Sequence, residues 1–171
     1  LVDPVDSHYD GAAGLLRFYD AFEQDIRTRP GVRSAGWATT LPMGQSYFGQ
    51  SFGGIYGVPL LGLMDQPFTG ERFIGGHGGA YFRHDGAERG MRARACASLK
   101  DALLATTSTD FFTSAEEHHR FNELSRRVRL RRFGGDCYNY CMLALGQIDL
   151  VVEAGLNPYD ILPLIPIIEQ A

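Results

Sequence analysis

Two acidic motifs in the chain combine residue types and spacing that could do chemistry. Asp3 and Asp6 flank a rigid Pro-Val pair, so both carboxylates can converge on one or two hard cations, with the carbonyl oxygen of Val5 as a further ligand. Glu153 ends an apolar run, and Asp160 stands where a helix would begin. Each motif also has a plainer interpretation, because Asp-Pro-X-Asp is a common turn and an aspartate before a helix is an ordinary N-cap.

A third motif, Gly134-Gly135-Asp136-Cys137, opens a predicted helix. The free amides at the start of a helix can receive an anion, which makes this motif a candidate binding site. The acidic side chain of Asp136 is equally explained as a favourable charge at the positive end of the helix dipole. The sequence leaves both interpretations open.

The basic residues exclude several mechanisms. Lys100 is the single lysine, so the sequence contains no Gly-Lys-Ser/Thr phosphate-binding loop, and Schiff-base chemistry would depend on that one residue. Sixteen Lys and Arg against twenty Asp and Glu give a net charge of −4, which offers no broad surface for nucleic acid. The arginines between residues 126 and 132 form the main basic run, for which a solvated surface is expected and a nucleic-acid contact is the alternative.

Hydropathy and cysteine content point to a cytoplasmic protein with no membrane partner. No window reaches the length of apolar residues that a membrane helix needs, and the first residues do not resemble a signal peptide. Three cysteines, an odd number, argue against a disulfide scaffold and for a reducing compartment. Cys137 and Cys141 lie one helical turn apart, and we expect buried packing for them, with zinc binding as the alternative.

The first half of the chain is predicted to form a helix followed by antiparallel strands. Apolar residues recur at three- and four-residue spacing over residues 9–30, which indicates an amphipathic helix. Residues 32–57 suggest loops and short strands, and residues 58–74 suggest a β-meander. The glycine-rich run 75–79 is expected to be a wide hairpin turn, because a nucleotide loop would need a following helix.

After about residue 95 the pattern changes to alternating strands and helices. Strands are predicted over residues 102–107, 130–133 and 148–153, and helices over residues 115–127 and 136–145. Ser114 begins the first helix with a capping box. Asp160 is predicted to be the N-cap of a last helix, which Pro166 would kink or end. This order predicts a partly parallel α/β layer.

Together the motifs resemble the inositol monophosphatase superfamily of Mg²⁺-dependent, Li⁺-sensitive phosphatases. Residues 3–8 (DPVDSH) are similar to its Asp-Pro-Ile/Leu-Asp-Gly-Thr signature. Residues 158–160 (PYD) are similar to its Trp-Asp motif, with Glu153 at the position of an acidic substrate contact. Residues 64–73 and 134–141 are more similar to the histidinol-phosphatase branch. The resemblance covers residues 1–6 and about 54–171.

The resemblance implies a two-metal site built from the acidic motifs. Asp3 would bridge two Mg²⁺ ions, and Val5 would contribute its carbonyl oxygen. Asp6 and Asp160 would hold the second ion, and Asp3 and Asp6 would be the catalytic carboxylates. Bound metal neutralises phosphate oxygens and generates the attacking hydroxide in such sites.

The resemblance also implies a substrate site for a small phosphorylated metabolite. Gly135, Asp136 and Cys137 would line the substrate at the start of a helix, together with Glu153 and Asp160. Histidinol phosphate carries an ammonium group, with which Asp136 and Glu153 could pair. A homodimer stays open as the assembly, and no nucleic acid or membrane partner is implied.

The chain departs from the family pattern in its first third. Ser7 and His8 replace the Gly-Thr that closes the signature, and the family's upstream glutamate would lie before residue 1. Residues 9–52 instead resemble the periplasmic core domain of macrolide-exporter-type ABC permeases, notably in 16–20 (LRFYD) and 30–36 (PGVRSAG). The chain is therefore expected to be chimeric, and incomplete at both ends.

The predicted fold class is α/β, a layered α+β sandwich of the inositol-monophosphatase and sugar-phosphatase type. An antiparallel part would span residues 1–95, with an atypical segment at 9–52, and a C-terminal α/β part would span 96–171. The predicted function is Mg²⁺-dependent phosphomonoester hydrolysis, most like the histidinol-phosphatase of histidine biosynthesis, with impaired turnover. The alternatives are a non-catalytic chimera or remnant, or an inositol-1-phosphatase.

Overall fold

The structure, a computed structural model, describes residue 24 and residues 34–40, 48–55 and 58–171, with side chains from residue 59 onward. Asp3, Val5 and Asp6 therefore lie outside the described residues. So does almost all of the helix predicted over residues 9–30. The site and the packing that positions it are described below for the remaining residues.

Six strands form an antiparallel meander in the order of the sequence. The strands are β1 (Ser34–Thr40), β2 (Phe48–Ile55), β3 (Val58–Gln66), β4 (Glu71–Gly76), β5 (Gly79–His84) and β6 (Ala87–Gly90). The meander predicted over residues 58–74 is confirmed in β3 and β4. The expectation of a wide turn at 75–79 is wrong, because Gly76 pairs with Gly79 in the ladder and leaves a two-residue turn.

Three short strands form a second, parallel sheet with β7 in the centre. The elements of this segment are β7 (Leu103–Thr106), α1 (Ala115–Ser125), β8 (Leu130–Phe133), α2 (Cys137–Ala144) and β9 (Leu150–Val151). Helices α1 and α2 are the crossovers that parallel pairing requires. The capping box at Ser114 is confirmed, with its hydroxyl accepting from the Glu117 amide at 3.1 Å.

The last predicted helix is two short helices, α3 (Pro158–Ile161) and α4 (Leu164–Glu169). Asp160 is not its N-cap: Asn157 is, and Asp160 is the third helical residue, whose carboxylate accepts from the Asn157 amide at 2.8 Å. Pro163, which has no N–H to donate, lies at the break between the two helices. Pro166 does not end α4, because it lies in the first turn, where amides have no helical acceptor.

Helices α2 and α4 join the two sheets through a shared core. Helix α4 contacts β3, β4 and β5, while α2 contacts both α4 and β9. The buried side chains of this core come from β3, β4 and β5, from helices α2 and α4, and from the segment after β6: Met64, Phe73, Ala80, Phe82, Met91, Cys137, Tyr140, Cys141, Ala144, Leu164 and Ile167. A separate cluster, which includes Leu104 and Phe121, packs α1 on the parallel sheet.

The contact between α4 and the antiparallel sheet is a backbone contact. A Cβ atom at Gly62 of β3 would overlap the carbonyl oxygen of Pro163, and one at Gly75 of β4 would overlap the backbone of Ile167. Glycine is therefore required at both strand positions for α4 to lie where it does. The close approach fixes the position of α4 and, through the chain, that of α3.

A buried carboxylate ties the start of the parallel sheet to the connecting segment. Asp149, whose side chain is 2% exposed, accepts two hydrogen bonds from the Arg94 guanidinium and one from the Leu103 amide at 2.7 Å. The hydrogen bonds from Arg94, supported by the one from Leu103, lower the pKa of Asp149 from 3.8 to about 2. The ionised form of Asp149 is thus the form that stabilises the fold.

The two sheets lie on either side of residue 95, where the sequence predicts a boundary between two parts. Because α4 of the second segment packs on the first sheet, this boundary is crossed by a continuous core. The division into two domains stays a prediction. Among the described residues, no helix is long and apolar enough to cross a membrane.

Replacing Gly75 by Ala should destabilise the fold by about 1–3 kcal/mol or more, because the added methyl group overlaps the backbone of α4. Gly90→Ala is the matched control, since a Cβ atom there meets nothing within 4 Å. Urea unfolding of the wild type and both variants measures the effect. An equal stability of the two variants would contradict the backbone contact.

Asp149→Asn should lower the free energy of unfolding at pH 7 and should flatten its dependence on pH in acid. The folded pKa of Asp149 is depressed, so its contribution is present above the unfolded pKa of 3.8 and is lost as the pH falls towards 2. Urea unfolding of both proteins at intervals from about pH 7 to about pH 2 tests this. Parallel curves for the wild type and the variant would show that Asp149 has no such role.

Candidate functional site

Two predicted substrate residues, Asp136 and Glu153, lie just beyond the carboxyl ends of parallel strands. Asp136 lies three residues after β8, Glu153 lies two residues after β9, and Thr107 directly follows the neighbouring strand β7. Since parallel strands all end at the same edge of a sheet, these side chains are brought together although they are far apart in the sequence. The same edge is where open α/β sheets usually bind their ligands.

Glu153 is held in place by the neighbouring strand. Its carboxylate accepts hydrogen bonds from the amide and the hydroxyl of Thr107, each at 2.8 Å, and lies 3.5 Å from the Thr106 hydroxyl. Burial raises the pKa of Glu153, the hydrogen bonds from Thr107 lower it, and the charge of Asp136 raises it again, with a net increase. Glu153 is therefore a positioned carboxylate that has a second carboxylate near it.

The turn from β8 into α2 has a backbone that demands glycine. Gly134, Gly135 and Asp136 all have positive φ angles, of 81°, 101° and 47°. A Cβ atom at Gly135 would also overlap the amide oxygen of Asn139, whose Nδ2 donates to the Gly134 carbonyl at 2.8 Å. This left-handed turn places Asp136 at the N-cap of α2.

The first amides of α2 do not form the open anion site that the sequence left as one alternative. The Tyr138 and Asn139 amides donate to the carbonyls of Gly135 and Asp136 at 2.9 and 3.1 Å. The alternative interpretation, a favourable acidic charge at the helix start, fits these contacts. Within the described part of the chain, the amides of Gly135 and Asp136 themselves have no hydrogen-bond partner.

Asp160 completes a group of three carboxylates. The desolvation of Asp136 raises its pKa, its bond from the Cys137 amide opposes this, and the charge of Asp160 adds to the increase. Asp160 uses Oδ2 in its capping box with Asn157, which leaves Oδ1 without a partner among the described residues. The charge of Asp160 thus acts on Asp136, and that of Asp136 acts on Glu153, so this edge of the sheet favours a cationic ligand.

Two features of the site were not predicted from the sequence. Thr107 positions Glu153. Tyr140 of α2 is a buried tyrosine whose pKa is raised by desolvation and by the charges of Glu153, Asp136 and Asp160. The pair Thr106-Thr107 at the end of a predicted strand was the available signal for the first. Tyr140 looked like an ordinary apolar helix residue, and its place in the core follows only from the packing of α2.

The residues with alternative interpretations follow the simpler one. Cys137 and Cys141 are buried, and desolvation raises the pKa of the Cys141 thiol well above its usual value, which disfavours the thiolate that zinc needs. His118 and His119 are exposed on α1. The arginines of the basic run are also exposed, at positions 126, 127, 129, 131 and 132.

The described residues alone contain no group of three His, Cys, Asp or Glu side chains that could hold a metal ion. Asp160 is the one predicted metal ligand among them, and the carboxylate oxygen that it leaves open suits a hard cation. Asp3, Val5 and Asp6 cannot be placed beside it, since they lie outside the described residues. The predicted ligand set therefore stays a prediction.

Sequence comparison places this segment among known phosphatases. The model of the inositol monophosphatase family matches residues 55–171. The chain is 41% identical over 129 residues to the chloroplastic bifunctional phosphatase IMPL2 of Arabidopsis thaliana, which covers 75% of this chain and 36% of that protein. It is 25% identical over 117 residues to the histidinol-phosphatase of Chlorobaculum parvum, in an alignment that covers 68% of this chain and 44% of that protein. The chain thus spans less than half the length of these relatives.

Structural comparison agrees on the fold. An inositol monophosphatase from Zymomonas mobilis superposes with a TM-score of 0.72 and 31% identity, over 98% of this chain and 70% of that one. The inositol monophosphatase from Anabaena gives a TM-score of 0.70 at 21% identity, over 99% of this chain and 80% of that one. The predicted layered α+β fold is confirmed, and the permease-like resemblance of residues 9–52 has no support from these comparisons. The chain belongs to the inositol monophosphatase family.

Proposed function

We propose that this protein is a Mg²⁺-dependent phosphomonoesterase. The observation that carries the proposal is the convergence of Asp136, Glu153 and Asp160 at the carboxyl edge of the parallel sheet, within the segment that matches the family. A site with three carboxylates repels a phosphate ester unless cations neutralise the charge. The electrostatics of this site and the family both support the proposed metal dependence.

The metal would be held by Asp160 together with Asp3, Asp6 and the carbonyl of Val5. Bound Mg²⁺ would supply charge neutralisation and an activated water, which are its usual contributions to phosphate ester hydrolysis. Asp160 remains anchored by its bond to Asn157, so its remaining oxygen is held in a fixed direction. Ser7 and His8 replace residues that help the family to orient the phosphate and the water, so we expect low turnover.

Histidinol phosphate is the substrate that the site favours. Its ammonium group would pair with Asp136 and Glu153, whose mutual repulsion it would relieve. The named histidinol-phosphatases among the relatives point to the same branch. Inositol 1-phosphate is the second candidate, because the fold is that of solved inositol monophosphatases. We take the enzyme to act in histidine biosynthesis in the cytoplasm, and its assembly as a homodimer is a further proposal.

The non-catalytic chimera, built partly from a permease-like segment, is the competing proposal. It predicts a folded chain that releases no phosphate from either substrate under any metal condition. The first experiment below separates it from the enzyme.

Phosphate release from histidinol phosphate should require Mg²⁺ and should fall at least about a hundredfold in Asp160→Asn. Asparagine can still accept the hydrogen bond from the Asn157 amide, so the start of α3 is retained while the charge is lost. Asp101→Asn, at an exposed position, is the matched control and should leave the rate unchanged.

The measurement is the release of inorganic phosphate by the purified chain, with Mg²⁺ and with a chelator. A rate of phosphate release that does not depend on Mg²⁺, or that is unchanged in Asp160→Asn, would contradict the metal site. No release by a chain with normal unfolding behaviour would favour the non-catalytic chimera.

Asp136→Asn should weaken turnover of histidinol phosphate more than that of a neutral sugar phosphate. Loss of one charge-assisted contact to the ammonium group corresponds to about tenfold in kcat/KM, or ~1.4 kcal/mol. Asparagine has the same size and branching as aspartate, so the substitution adds no steric strain to the backbone of this position (φ 47°, ψ −138°). The test compares kcat/KM for both substrates, and equal losses would show that Asp136 does not recognise the cation.

A further inference from the structure

A hydrogen bond joins the first turn of α2 to the antiparallel sheet. The Tyr138 hydroxyl donates to Glu71 Oε2 at 2.9 Å, although the two residues are 67 positions apart in the chain. The same carboxylate oxygen accepts from the Thr69 hydroxyl at 2.8 Å. The Tyr138 ring meets the buried ring of Phe73 edge-on, with 5.7 Å between the ring centroids. Tyr138 is therefore held by β4 through both its ring and its hydroxyl.

The turn that carries Asp136 is bonded to the same part of α2. The Tyr138 amide donates to the Gly135 carbonyl at 2.9 Å, and the Asn139 amide donates to the Asp136 carbonyl at 3.1 Å. The side chain of Asn139 donates to the Gly134 carbonyl at 2.8 Å. All three carbonyls of the turn are thus bonded to Tyr138 or Asn139. A shift in the first turn of α2 would therefore move Asp136 with it.

The backbone of Asp136 needs such support. Its φ of 47° and ψ of −138° lie outside the regions that residues other than glycine normally occupy. A conformation of this kind persists only where the surrounding contacts hold it. The bond from Tyr138 to Glu71 is one of these contacts, since it fixes the helix turn to which the backbone of residues 134–136 is bonded. Loss of the bond would let the turn relax and the Asp136 carboxylate move.

We propose that Tyr138 and Glu71 are positioning residues that hold the Asp136 carboxylate in the orientation that binds the cationic part of the substrate. This inference rests on the proposed function and extends it to residues of the antiparallel sheet. Tyr138 and Glu71 act through Asp136 and do not contact the substrate themselves.

Calorimetry in the presence of Mg²⁺ tests the proposal with two reaction products, which cannot be hydrolysed. L-Histidinol carries the ammonium group, and inorganic phosphate does not. Tyr138→Phe removes the hydroxyl but keeps the ring that contacts Phe73. Glu71→Gln keeps an acceptor oxygen for the same hydroxyl. Tyr81→Phe is the matched control, because it removes a tyrosine hydroxyl that donates to the Gly78 carbonyl within the β4–β5 hairpin.

Tyr138→Phe should weaken the binding of L-histidinol about three- to tenfold and leave the binding of phosphate unchanged. Glu71→Ala should give the same loss, because it removes the acceptor of the same hydrogen bond. Glu71→Gln and Tyr81→Phe should bind L-histidinol as the wild type does. In the Asp136→Asn background, Tyr138→Phe should cause no further loss, since Tyr138 acts through that carboxylate.

A purely structural tie between α2 and β4 predicts other results. It predicts an unchanged affinity for L-histidinol in Tyr138→Phe, an equal loss of phosphate affinity, or the same loss whether or not Asp136 is replaced. Any of these results would overturn the proposal. So would a loss of the same size in Glu71→Gln or Tyr81→Phe, or a wild type that does not bind L-histidinol.

Failure of this inference and failure of the proposed function give different results. Mg²⁺-dependent hydrolysis of histidinol phosphate by the wild type, with normal L-histidinol binding by Tyr138→Phe, would refute the positioning role alone. Binding of L-histidinol that weakens in Tyr138→Phe, in a chain that releases no phosphate, would support the positioning role and refute the phosphatase.

Discussion

The close approach of α4 to the antiparallel sheet is the constraint on which the described structure depends. Gly62 and Gly75 leave no side chain between the strands and the helix backbone, so α4 lies directly on β3 and β4. Helix α2 packs on α4 and on β9, which joins the second sheet to the first. Because α3 precedes α4 by two residues, the same contact sets the position of Asp160. Close packing in the core thus determines where a carboxylate of the candidate site lies.

The direction of the parallel strands then brings the site together. Each of β7, β8 and β9 ends at one edge, and each is followed there by a polar side chain. Burial and the charge of Asp160 raise the pKa of Asp136, and burial and the charge of Asp136 raise the pKa of Glu153, an unfavourable arrangement that the hydrogen bonds from Thr107 only partly offset. Sites that gather like charges are common where a cation or a cationic substrate supplies the missing partner. The repulsion is therefore better explained by ligand binding than by stability.

Much of the local structure was predictable from the sequence, because its signals are local. Three correctly predicted features depend only on residues within a few positions of one another: the capping box at Ser114, the strand Leu130–Phe133 and the helix that follows Asp136. Errors occurred where a signal had two local solutions. Asp160 was expected to be an N-cap, but Asn157 takes that role, since either residue can accept from an early amide. Strand β9 is shorter than its apolar run, because only two of those residues pair with β7.

The sequence by itself determined the family and the order of the elements, and it predicted Asp136, Glu153 and Asp160 as site residues. The family model that matches residues 55–171 confirms the first of these. The tertiary structure alone decided that Thr107 holds Glu153 and that the Tyr138 and Asn139 amides at the start of α2 are already bonded. The first contact joins two strand ends that are 46 residues apart in the chain, and the second depends on the positive φ angles of the turn before α2. No local pattern of residue types encodes which strands become neighbours, which is set by how the core packs.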